Sequence, residues 1–131
     1  MTQVFDISSE VRVAFPEIKV AYATIEGMQV PETLPESFSL LRERVISDVR
    51  QMIPKSELAK HPKIAGFRDI YKRFGYKPSQ KRCSSEALLR RVLDPEKQLY
   101  EVNPVVDCSI LARLNINSLW VCMMPIDCIH H

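Results

Sequence analysis

"IKVAYATIEG", Ile18 to Gly27, is the stretch on which the fold turns. Its β-branched and aromatic residues favour an extended, pleated backbone. It is apolar on both faces around Lys19 and Thr24, and Gly27 closes it. A strand that is apolar on both faces belongs in the middle of a covered sheet. Read this way, the chain is an α+β domain, with a mixed sheet and several packed helices.

The flanks agree with that expectation. Upstream, "TQVFDI" (Thr2–Ile7) is a short strand candidate. "SSEVRVAF" (Ser8–Phe15) reads as a short helix capped by Ser8 or Ser9 and stopped by Pro16. Downstream, Pro31 and Pro35 bracket a linker. "ESFSLLRERVISDVRQMI" (Glu36–Ile53) is an amphipathic helix. Phe38, Leu41, Val45, Val49 and Met52 recur at steps of three and four, and Pro54 ends it. "SELAKHPK" predicts another turn or two of helix, broken at Pro62. In "KIAGFRDIYKRFG" (Lys63–Gly75), Ile64, Phe67, Ile70, Tyr71 and Phe74 share one helical face. Gly75 suits the position just past its end.

The segment "YKPSQKRCSSEALLRRVLDP" (Tyr76–Pro95) carries the candidate chemistry. A basic loop with Lys77, Lys81 and Arg82 runs into a helix opened by Ser84 or Ser85. Leu88, Leu89, Val92 and Leu93 form its buried stripe, and Asp94–Pro95 ends it. Free backbone N–H groups at a helix start, beside Lys81 and Arg82, suit an anion. Arg90 and Arg91 add charge one turn later. The simpler role of the serines is to cap the helix, and that of the arginines to meet solvent.

Charge is partitioned along the chain. Net charge is only +2, yet residues 55–91 carry 11 basic and 3 acidic side chains. The flanks, 1–54 and 92–131, are each net −3. A basic block between acidic flanks points to a polyanionic partner. The 131 residues suffice for one domain. No apolar run is long enough to cross a membrane as a helix, and the start "MTQVFDISSEVR" does not read as a signal peptide. The expected location is the cytoplasm, with no membrane partner. The 3 glycines, Gly27, Gly66 and Gly75, are too far apart for G-x-x-x-x-G-K-S/T or G-x-G-x-x-G, and no G-x-S-x-G or H-E-x-x-H occurs. Cys83 stands alone, and Cys108, Cys122, Cys128, His130 and His131 lack zinc-site spacing. No metal and no cofactor are expected.

"FRDIYKRFGYKPSQKRCSSEALLRRVL" followed by "YEVNPVVD" resembles a known family, the B-three/B-four domain of the phenylalanyl-tRNA synthetase beta subunit in its free-standing form. The matching residues are Gly75, Lys77, Arg82, Ser84, Ser85, Glu86, Ala87, Leu88, Arg90, Arg91, Asn103, Pro104 and Asp107. The resemblance covers residues 1–107 and is specific from Phe67 to Asp107. It implies a partial version of that mixed-sheet domain. It also implies tRNA or aminoacyl-tRNA as the partner. Within the synthetase, the phenylalanine-tRNA ligase, this domain hydrolyses Tyr wrongly attached to the phenylalanine tRNA. Lys81, Arg82, Ser84, Ser85, Arg90 and Arg91 would then meet RNA. Glu86, Asn103 and Asp107 are the polar candidates for positioning water, although the simpler role of Glu86 and Asp107 is to cap helices or tie the loop.

After Asp107 the resemblance stops in "DCSILARLNINSLWVCMMPID". The family continues as D-L-Y-N-x-x-S-L-K-Y and P-M-G-x-Y-D. If each codon begins at the third base of the preceding one, Cys108 becomes Leu, Val121 must become Gly and Met124 must become Asp. These fall at the family's spacing. The expectation is therefore a nucleotide lost near the Asp107/Cys108 junction. Residues 1–107 would be an N-terminal half-domain and 108–131 an out-of-frame tail. A half-domain would leave apolar faces uncovered and prone to self-association, and its catalytic pocket incomplete. The function this predicts is RNA binding without catalysis. The alternatives are an inactive remnant or interaction module, and a hydrolase that edits mischarged tRNA.

Overall fold

The computed structural model describes residues 6–23 and 25–115. Among these residues five α-helices run in order: α1 (Ser9–Ala14), α2 (Glu36–Met52), α3 (Pro62–Arg73), α4 (Ser84–Val92) and α5 (Pro104–Leu114). A 3-10 turn, Leu58–Lys60, precedes α3. Among the described residues there is no strand and no sheet. The α+β expectation is corrected: these residues form a helical fold.

The reason lies in what a strand requires. Ile18–Gly27 has neither helix nor ladder in its described residues, and it leaves Val20 46%, Tyr22 60% and Ile25 78% exposed. β-propensity measures fit to a neighbouring strand and a covering layer. Neither is present among the described residues, so the propensity has nothing to act on. The expected strand Thr2–Ile7 lies mostly outside the described residues. At its end, the Ile7 amide donates to Asp6 Oδ1.

Helix α1 begins where the sequence places it. The Ser8 hydroxyl accepts from the Val11 amide, and no residue of the helix is buried. Arg12 pairs with Asp6, which holds the Asp6 carboxyl below its ordinary range. The Phe15 ring lies 5.2 Å from that of Phe74, where this N-terminal segment meets the end of α3.

The core is built by α2, α4 and α5, with the 3-10 turn and α3 beside them. Val49 of α2 and Ile53 after it meet Leu88, Leu89 and Val92 of α4 and Ile110 and Leu114 of α5. Leu58 and Ile64 close one side, and Leu99 another. Of the α2 stripe only Val49 is fully buried, whereas Leu41 and Met52 stay exposed. Pro62 does not end a helix but opens α3, where a missing N–H costs no hydrogen bond.

Arginines of α2 tie the core together. Arg50 Nε donates to the Val92 carbonyl at 2.9 Å, serving a carbonyl at the end of α4. Arg42 Nη2 donates to the Leu99 carbonyl at 2.9 Å and its Nη1 pairs with Glu101. Lys55 pairs with Asp94 at 2.9 Å, and this bond holds the Asp94 carboxyl below its ordinary range. Helix α5 runs unbroken through the Asp107–Cys108 junction, with Ile110, Leu111 and Leu114 buried. Leu114, within the stretch 108–131, is therefore in the core. Ile116, Leu119, Trp120 and Val121 lie outside the described residues.

Candidate nucleic-acid interface

The basic segment is shaped first by the end of α3. Gly75 adopts φ +78°, a left-handed conformation open to glycine without strain. The turn lets the Gly75 amide donate to the Lys72 carbonyl at 2.9 Å and the Tyr76 amide to the Tyr71 carbonyl at 3.0 Å. This pair of bonds is the Schellman pattern. The chain then turns again, with the amides of Gln80 and Lys81 both donating to the Lys77 carbonyl at 2.9 Å. Cys83 is the N-cap of α4, so Ser84 is the first helical residue rather than the cap. Burial pushes the Cys83 thiol above its ordinary range.

At the start of α4, Glu86 is fully buried. Arg68 Nη1, from α3, donates to its Oε1 at 2.8 Å. Arg90 Nε, one turn along α4, donates to the same oxygen at 2.9 Å. Arg82 Nε stands 3.8 Å from that oxygen, within ion-pair range but beyond a hydrogen bond. Glu86 Oε2 has no hydrogen-bond partner. One carboxylate therefore serves several guanidinium groups, a cluster of net positive charge at the join of two helices.

A narrow cleft opens there, lined by Phe67, Arg68, Tyr71, Pro78, Lys81, Arg82, Cys83 and Glu86. It encloses no space for a water-sized molecule. Lys81 Nζ sits 4.0 Å from the centre of the Tyr76 ring, at cation–π distance. Tyr76 itself lies 6.1 Å from Tyr71, ring to ring.

The six expected RNA contacts thus divide. Lys81 and Arg82 line the cleft, and Ser84 is exposed beside it. Ser85 is buried, at 1% exposure. Arg90 is held on Glu86. Arg91 points elsewhere: it donates to the Gln98 carbonyl and to the Tyr100 hydroxyl, and its guanidinium lies 4.0 Å from the Tyr100 ring centre. Sequence reading missed Arg68. Its side chain comes from another helix, and nothing in the spacing joins it to Glu86. The Glu86–Arg90 pair was within reach, because glutamate four residues before arginine is a helix ion-pair signature.

The candidate water-positioning residues are not brought together around a shared site. Asn103 is the N-cap of α5, and its Oδ1 accepts from the Val106 amide at 2.9 Å. Asp107 Oδ1 accepts from the Val102 amide at 3.0 Å, tying the entry strand of chain to the helix. Glu86 is occupied by arginines. Among the described residues, no three His, Cys, Asp or Glu side chains are grouped to hold a metal ion. Cys122, Cys128, His130 and His131 lie outside the described residues. No described helix is long and apolar enough to cross a membrane. Comparison of the chain with family models, with curated proteins and with solved structures finds no match.

Proposed function

We propose that this chain is an RNA-binding domain that acts without hydrolysis, with tRNA or aminoacyl-tRNA as the partner implied by the resemblance. The observation that carries this reading is the surplus of positive charge along α3, the loop after it and α4. Residues 55–91 are net +8. Lys63, Arg73, Lys77 and Lys81 have no carboxylate within ion-pair distance among the described residues. Such a surface attracts a phosphate backbone by releasing its counterions, so affinity falls steeply with salt.

The absence of hydrolysis in this proposal rests on where the polar groups are used. Asn103 caps α5, Asp107 ties the chain before α5 to the helix, and Glu86 neutralises arginines. The cytoplasm remains the proposed location. Titration of tRNA across a range of salt concentrations tests the reading. Binding should weaken by at least tenfold between about 50 and 200 mM salt if several phosphates are met. Absent or salt-insensitive binding sinks it. Deacylation of Tyr-charged phenylalanine tRNA above background would overturn the non-catalytic part.

A second reading has its own observation. Val20, Ile25, Met28 and Val30 are all about half exposed or more. This apolar run favours self-association as an interaction module. Sedimentation at rising concentration separates that behaviour from RNA binding.

A further inference from the structure

We propose that the exposed rim of the cleft between α3 and the start of α4 takes a phosphate on its surface rather than within it, with Lys81 and Arg82 as the contact residues and Glu86 as the positioning residue. The proposal deepens the RNA-binding reading and, as a claim about RNA, rests on it.

The argument is one of local charge and of unused donors. The cleft lining includes three cations, Arg68, Lys81 and Arg82, and one carboxylate, Glu86. Both hydrogen bonds that Glu86 accepts come from Arg68 and Arg90, on a single oxygen. Arg82 is left at 3.8 Å, its guanidinium making no hydrogen bond among the described residues and its side chain 39% exposed. Lys81 is likewise without a carboxylate and is held over Tyr76 by a cation–π contact. Like charges crowded against one carboxylate repel, and an added anion relieves that repulsion. A phosphate group fits in kind. Guanidinium meets it with a planar fork, and ammonium meets it as a point charge.

Glu86 gives the cluster its shape. A carboxylate buried on α4 and bonded to an arginine of α3 ties the two helices at this point. The loop carrying Lys81 and Arg82 connects them. The Schellman turn at Gly75 and the doubled bond to the Lys77 carbonyl hold the loop's own backbone. The cations are therefore presented on a braced loop, so that binding has less backbone to order. Arg68 and Arg90 hold the support, while Lys81 and Arg82 make the contact.

The phosphate could be a diester of RNA or a free phosphate, and the test distinguishes them. The full chain is titrated with an RNA oligonucleotide at several salt concentrations and, separately, with inorganic phosphate. Lys81→Ala/Arg82→Ala is compared with Lys63→Ala, a control on the same basic surface outside the cleft. The double variant should lower the slope of log affinity against log salt by about one to two, and Lys63→Ala by less. Glu86→Gln should weaken RNA binding severalfold while leaving every contact cation in place. Should Glu86→Gln fail to fold, Arg68→Lys serves, because it keeps the charge and loses the fork. It should weaken binding without changing the slope.

RNA binding whose slope is the same in the double variant as in the native chain overturns the phosphate site and leaves the RNA reading standing. No RNA binding at all overturns the RNA reading. In that case, a thermal shift with inorganic phosphate that disappears in the double variant supports a free-phosphate site, and no shift overturns the site as well.

Discussion

Ile18–Gly27 and α4 make the instructive contrast. The first is the more apolar of the two, yet it lies exposed, whereas α4 buries Leu88, Leu89 and Val92 to 7% exposure or less. The difference is in who supplies the hydrogen bonds and how the apolar residues are sorted. A helix satisfies its interior backbone groups by itself and needs only one face covered. A strand needs a neighbour for its backbone and, when apolar on both faces, two covering layers. Helix α4 finds α2 and α5. Ile18–Gly27 finds no strand among the described residues. Apolar content therefore says how much surface seeks cover, and only partners decide whether it gets it.

That contrast can be broken at several points. The largest effect should come from ending the chain after Asp107. This removes Ile110, Leu111 and Leu114 from the core, and cooperative thermal unfolding should disappear. If residues 1–107 melt as the full chain does, the packed half does not depend on α5 beyond that junction. Next, Leu89→Ala should destabilise the chain by about 3 kcal/mol, read from denaturant unfolding, because it leaves a cavity at a fully buried position.

Glu86→Ala should cost about 2 kcal/mol through the loss of two charged hydrogen bonds, with partial relief as the arginines reach water. A change below about 0.5 kcal/mol would mean that the cluster does not join α3 to α4. Smaller still is a pH effect at Cys83. Its thiol is raised above its ordinary value of 9.0, chiefly by burial. The folded state therefore favours the protonated form. That contribution is full below the ordinary value and is lost as pH rises through the folded value. Melting temperature should fall on the alkaline side, above about pH 9, and the fall should be shallower in Cys83→Ala. The least effect belongs to Ile25→Ala, within about 0.5 kcal/mol of the native chain, because the side chain is already 78% exposed.

Much of the helical half is legible in the sequence. The three- and four-residue spacing places α2 within a residue of its observed limits, and Ser8 and Gly75 mark a start and a stop through their own side-chain and backbone chemistry. Helix α5 is not legible in the same way. Its apolar residues lie around the helix rather than on one stripe, and the resemblance ends inside it. The site is half legible. Lys81 and Arg82 follow from composition, and Glu86–Arg90 from spacing. Arg68, Tyr71 and Tyr76 depend on how α3 lies against α4, which is a tertiary fact. The sheet failed because strand propensity is a statement about neighbours, and the sequence of one strand does not contain its neighbours.

Amide hydrogen exchange on the monomer, resolved by residue, tests the contrast most directly. The account predicts slow exchange for Leu88–Val92 and Ile110–Leu114, where opening requires breaking the core. It predicts exchange near the rate of an unstructured chain for the amides of Lys19, Val20 and Ala21. Protection at Lys19–Ala21 equal to that of α4 would contradict it, for those amides would then be paired in a strand that is absent among the described residues.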